Sequence, residues 1–199
     1  MLNEQVHKKV RILKFVLERR KSVPKIIENV REQLLKEAKK QVLENGYANT
    51  TVRSVAKASG LGVGTVYNYF ESKEMLIATF VYEDWKKHLF NMKSLPSDSS
   101  YTLLNGIYLS LRSFADENQK LFSDTDAAKL ISAGASSRHK MLREQISEFV
   151  LPICESKFCA DFISEALISW SMENVDFDTV YPLLEKIVKN NINEKENSK

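Results

Sequence analysis

Apolar residues recur along this chain at intervals of three and four, the spacing of helices buried on one face. Val6, Val10, Leu13 and Leu17 form such a stripe over residues 6–21, set among Lys8, Lys9, Arg11, Lys14, Arg19, Arg20 and Lys21. Ser22-Val23-Pro24 interrupts it, because proline disfavours a helical residue ahead of it. A second helix is predicted over about 25–45, with Ile27, Val30, Leu34, Ala38 and Val42 inward and Gly46 as a left-handed stop. Asn49-Thr50-Thr51 supplies an N-cap for a short helix over 52–59, and a glycine turn leads to another over 63–69. Ser72 caps a long helix to Met92 with apolar residues on two sides: Leu76 and Phe80, then Ile77, Val81 and Trp85. That helix can pack on both neighbours and bridge two modules.

The stretch KSLPSDSS, 93–100, reads as a loop. Helices are expected beyond it near 101–115, 120–134, 136–151, 157–173 and 176–192. Gly134, Pro152 and Glu173-Asn174 separate the later ones. With four prolines, six glycines and no long alternating β-branched run, the expected fold is all-α.

Charge divides the chain unevenly. Residues 1–93 hold 18 Lys and Arg against 10 Asp and Glu, a net of +8, whereas residues 94–199 hold 11 against 16, a net of −5. A basic first half points to a polyanion partner. There is no run of eighteen apolar residues and no secretory signal pattern, so neither membrane insertion nor export is expected. Two cysteines, Cys154 and Cys159, are too few for a disulfide framework, and a cytoplasmic setting fits. With no second ligand pair nearby, zinc is not expected. No HExxH, GxSxG or P-loop lysine is present, so no enzyme and no cofactor is expected.

The most informative stretch is GLGVGTVYNYF, residues 60–70. Its glycines run G-x-G-x-G after a helix, whereas the dinucleotide fingerprint is G-x-G-x-x-G after a strand. The two short helices read instead as a helix-turn-helix, with Ala56 where the helices touch, Gly60 at the turn and Val66 locking the second helix. The second helix of such a unit enters the DNA major groove.

From Ala38 to Leu76 the chain closely resembles the TetR family of bacterial regulators. The matching pieces are Gly46-Tyr47, Thr50-Thr51-Val52, Val55-Ala56, Gly60, Gly64-Thr65, Val66-Tyr67, Tyr69-Phe70 and Ser72-Lys73-Glu74. The resemblance implies an N-terminal three-helix DNA-binding domain, a bridging helix, and a C-terminal helical domain for ligand binding and dimerisation. It also implies roles: Thr51 and Lys73 on phosphates, Gly64 and Thr65 close to bases, and Tyr67, Asn68 and Tyr69 towards the groove. Arg53 adds a phosphate contact, and Phe70 packs beneath the recognition helix. Four positions depart from the family's habit. Gly62 replaces a capping serine, Val63 a polar or basic residue, and Val42 an aromatic one. Ser54 stands where an acidic residue usually completes a capping box, and is expected to serve less well.

The expected organisation is a basic extension over 1–24, a helix-turn-helix domain over 25–71, and the bridging helix with the ligand and dimer domain over 72–199. The extension is expected either to add DNA contacts or to lie as a solvated amphipathic helix, with a membrane-surface helix as a third, weaker reading. The broad apolar faces of the last two helices, about 157–173 and 176–192, suit pairing with a second copy. By residue type alone, the ligand candidates are Tyr108, Arg112, Phe122 and His139, with Phe114, Met141 and Phe149 beside them. The function implied is repression from a palindromic operator, relieved by a small-molecule effector. Activation by the same fold, or an all-helical interaction protein without DNA binding, are the alternatives.

Overall fold

The computed structural model describes residues 29–127 and 135–197. The expected helix over 6–21, the basic extension over 1–24, residues 25–28 of the second helix, and Gly134 lie outside the described residues. Contacts divide the chain after Gln33, and the unit from Leu34 to Lys199 is the one described below.

The described residues form helices and no strand, as the spacing of apolar residues predicts. In order these are α1 (Val30–Asn45), α2 (Val52–Ala58), α3 (Val63–Tyr67), α4 (Lys73–Met92), α5 (Ser100–Glu117), α6 (Gln119–Phe122) and α7 (Ala135–Val150). A 3-10 turn, Leu151–Ile153, leads on to α8 (Lys157–Met172) and α9 (Phe177–Asn197).

Local chemistry sets most boundaries. Leu34, Ala38 and Val42 bury one stripe of α1 completely, and Gly46 ends it at φ +82°. Ser72, Ser99 and Ser156 cap α4, α5 and α8 by accepting from the amides of Met75, Thr102 and Cys159. Asn174 turns the chain between α8 and α9 at φ 60°. The expected helix over 120–134 is broken early. After α6, Asp124 Oδ1 accepts from the amides of Asp126 and Ala127 at 2.9 and 3.1 Å, so its carboxylate starts a new turn and ends the old one.

The body core joins α5, α7, α8 and α9 through Leu104, Ile107, Tyr108, Ile146, Ile163, Leu167 and Leu184. The bridging helix α4 reaches this core through Trp85 and Met92, and Trp85 Nε1 donates to Gln145 Oε1 of α7 at 2.8 Å. Towards the head, α4 carries Asp84, whose carboxylate meets Lys39 of α1 at 2.6 Å. Lys120 Nζ donates to the Leu43 carbonyl at 2.5 Å. Thus α1 is tied by an ion pair to α4 and by a hydrogen bond to α6.

Candidate nucleic-acid interface

Thr51 is the N-cap of α2. Its Oγ1 accepts from Ser54 N at 2.9 Å, and Ser54 Oγ accepts from Thr51 N at 3.0 Å. The capping box is therefore complete, which corrects the expectation for Ser54. A serine hydroxyl can accept and donate at once. Ser54 Oγ sits 2.6 Å from Gln41 Oε1, to which it donates, so the box is also pinned to α1. An acidic residue could not donate that bond.

The turn between α2 and α3 is a Schellman motif. Leu61 N donates to Ala56 O at 2.9 Å and Gly60 N to Lys57 O at 3.1 Å, with Gly60 at φ +66°. This is the one place in GLGVGTVYNYF where the backbone itself calls for glycine. Gly62 caps α3 in extended conformation with no side-chain bond, as its lack of an acceptor requires. A Cβ at Gly64 would meet nothing within 4 Å.

Val66 and Phe70, four residues apart, are buried and anchor α3 from below. Phe70 N donates to Val66 O at 2.9 Å, and α3 closes at Tyr67, two residues earlier than the spacing suggests. Gly64, Tyr67, Asn68 and Tyr69 are exposed and Thr65 is half-buried. Thr51 and Arg53 are exposed at the start of α2. Seven of the eight candidate DNA-contacting residues thus lie at the accessible surface of α2, α3 and the turn after it.

Lys73, half-buried on α4, differs in that its ammonium is already engaged. Its Nζ donates to the Tyr47 carbonyl at 2.6 Å and lies 3.8 Å from the centre of the Tyr47 ring. The Tyr47 hydroxyl donates to Glu74 Oε1 at 3.2 Å. Desolvation holds the Lys73 pKa below its ordinary value, and burial, then Glu74, pushes Tyr47 up. The Lys73 ammonium therefore joins the start of α4 to the turn after α1. Spacing alone does not reveal this, since Tyr47 lies 26 residues away.

The ligand candidates are scattered. Tyr108 is buried in the body core, where its hydroxyl donates to the carbonyl of Val175. Arg112 is half-exposed and lies 3.9 Å from Asp116. Phe122 packs edge-on to Phe114, which packs in turn on Trp85 and His88. His139 is exposed and 2.7 Å from Glu165. An open cleft of about 640 Å³ lies instead between α4 and α7. Among its lining are Lys86, Lys87, Leu89, Phe90, Lys93 and Phe149, so of the seven candidates only Phe149 faces it. The other six do not line that cleft. Types of residue suggested them, but their partners are set by packing.

One comparison with known proteins falls on the same stretch. The family described as "Bacterial regulatory proteins, tetR family" matches residues 34–79. The HTH-type transcriptional regulator QacR of Staphylococcus aureus (strain Mu50 / ATCC 700699) is 30% identical over 98 residues, which are 40% of this chain. The chain spans about half, 52%, of that relative's length. A TetR-family transcriptional regulator from Pectobacterium atrosepticum shares the fold at a TM-score of 0.56 and 18% identity, over 82% of this chain and 90% of that one. A transcriptional regulator from Rhodococcus sp. Rha1 does so at 0.54 and 19%, over 83% and 95%. The matched segment holds α2, its Schellman turn and α3, and the all-helical body has the fold of these regulators. Over residues 34–79 the chain is similar to the TetR family of bacterial regulatory proteins, and its helical body has the fold of such regulators.

Proposed function

We propose that this chain is a DNA-binding transcriptional repressor that leaves a palindromic operator when a small effector binds. One observation carries the reading. Gly64, Thr65, Tyr67, Asn68 and Tyr69 form an accessible, uncharged surface held from below by Val66 and Phe70, next to an exposed Thr51 and Arg53. Such a surface can enter a groove, while the residues at the start of α2 hold phosphates. Residues 25–71 then act as the head and 72–199 as the bridging helix with the effector and dimer body.

Two copies would pair through α8 and α9. Phe158, 81% exposed, shares a face of α8 with the exposed Phe162 and Met172, and Leu183 is exposed on α9. Among the described residues nothing covers these side chains, and a second copy would. Two heads about 34 Å apart would then meet successive major grooves. An effector bearing on α4 through the cleft beside α7 would move Asp84 and, with it, Lys39 of the head. It works only through its difference in affinity for the two states.

The test is a fluorescence-anisotropy titration of the full chain against duplexes from the DNA flanking its own gene, over a salt series. The expected result is tight binding to one fragment, with log affinity falling linearly as log salt rises. Absence of salt-sensitive binding to every such fragment would defeat the proposal. A reporter promoter carrying that fragment should then lose transcription when the chain is present.

A further inference from the structure

Neither Asn68 nor Gly64 is explained by the fold. Asn68 is the C-cap of α3, and asparagine near a helix end commonly serves to tolerate left-handed backbone. Yet its φ of −70° and ψ of −20° are right-handed and open to any residue. Its side chain is exposed and makes no hydrogen bond among the described residues. Gly64 lies inside α3 at a φ that is not positive, and a Cβ there would touch nothing. Glycine weakens a helix, so at an open site of this kind it is a cost without a structural return.

Helical geometry places the two residues together. Steps of about 100° put Gly64 and Asn68, four apart, on one line roughly opposite the buried Val66. That is the outermost line of α3. Asn68 sits about 6 Å along the axis from Gly64. Side chains on a helix lean towards its N-terminus, so the Asn68 carboxamide leans over the position where Gly64 has none. The gap lets the backbone come close to a base edge and leaves the carboxamide a clear path to it.

The same stretch lacks what reads guanine. Residues 60–72 contain no Lys or Arg. Lys73 is committed to Tyr47, and Arg53 and Lys57 belong to α2, the helix that crosses the phosphates in this motif. A bidentate guanine contact needs one of those cations, whereas a carboxamide matches N6 and N7 of adenine. Val63 and Thr65 bring methyl groups of the kind that meet the thymine methyl.

We infer that Asn68 reads adenine in the major groove of each half-site, with Gly64 as the gap that admits it, so that the contacted centre is an A·T pair. This rests on the proposed DNA-binding function. The experiment is selection of randomised duplexes by the full wild-type chain, followed by anisotropy titrations. Wild type should enrich adenine at one position per half-site. Asn68→Ala should lose roughly 5- to 100-fold of preference at that position alone, with the salt slope unchanged. Asn68→Arg should move the preference there to guanine. Gly64→Leu should bind at least about tenfold more weakly, while melting at the wild-type temperature or above. Enrichment of G·C at that position, or binding by Asn68→Ala with unaltered preferences, would overturn the assignment and leave the regulator reading standing. No DNA binding by the wild type at any salt would overturn both.

Discussion

Truncating Lys39 should cost more than neutralising its partner Asp84, although the two form one ion pair. Asp84 is 5% exposed on α4. Its Oδ2 meets the Lys39 ammonium at 2.6 Å as a charge contact, without the direction of a hydrogen bond. Its other oxygen has Lys87 at 3.1 Å, whose side chain is 73% exposed and well solvated. Lys39 is better placed: its side chain is 27% exposed and has a second acid, Glu117, at 3.6 Å. Removing one partner of a fully buried pair costs about 3–5 kcal/mol, and an exposed pair is worth about 0–1 kcal/mol. Lys39→Met strands a buried carboxylate beside a solvated cation, so a loss of about 2 kcal/mol is expected. Asp84→Asn leaves Lys39 with Glu117 and water, so about 1 kcal/mol is expected. The double variant buries no unpaired charge and should lose about 1 kcal/mol less than the sum. Urea unfolding at pH 7 and low salt reads these as shifted midpoints at constant slope. An Asp84→Asn loss equal to or larger than that of Lys39→Met, or strict additivity in the double variant, would refute the reasoning.

Lys73→Met removes the bond to the Tyr47 carbonyl and the ammonium over its ring. It should lose about 1 kcal/mol and about 2–4 °C in melting temperature without any DNA present. An unchanged melt together with a salt slope reduced by one charge would make Lys73 a phosphate ligand instead. Burial, then the Cys159 thiol beside it, pushes the Cys154 thiol up to about 12 from an ordinary 9.0. The folded state therefore holds that proton longer than the unfolded chain. The stability this contributes is complete below pH 9 and is lost as pH rises towards 12. Tyr47 shifts in the same direction. Urea midpoints taken from pH 8 to 11 under reductant should fall, and Cys154→Ser should flatten the fall. An unchanged alkaline slope in that variant would contradict the assignment. For the proposed dimer, Phe162→Glu should convert the species seen by light scattering to a monomer with an unchanged helical spectrum, and persistence of a dimer would place the interface elsewhere.

Signals carried within a few residues were legible in the sequence. Ser72 and the apolar spacing beyond it give α4 as found, Lys73–Met92, because a cap and a helix period are local. Gly60 marks the turn because only its left-handed backbone closes the α2–α3 connection. The stripe of Leu34, Ala38 and Val42 is fully buried as the spacing predicts. The surface of α3 was legible too, since Val66 and Phe70 inward leave Tyr67, Asn68 and Tyr69 outward. Ser54 was misjudged because its decisive partner, Gln41, lies on another helix.

By itself, then, the sequence determined the all-helical class, the helix-turn-helix and the face that α3 presents. All of these follow from periods, caps and a short ordered motif. Tertiary structure alone decided where the charged and aromatic side chains go. It turned Lys73 onto Tyr47, sank Tyr108 into the body core, left Arg112 beside Asp116, and joined Lys39 to Asp84. It also opened the cleft beside α4 and left Phe158 uncovered. The reason is physical. A helix period depends on neighbours three and four residues away, whereas a side chain's burial and its ionic partner depend on groups that folding brings from 26, 45 or 67 residues along the chain.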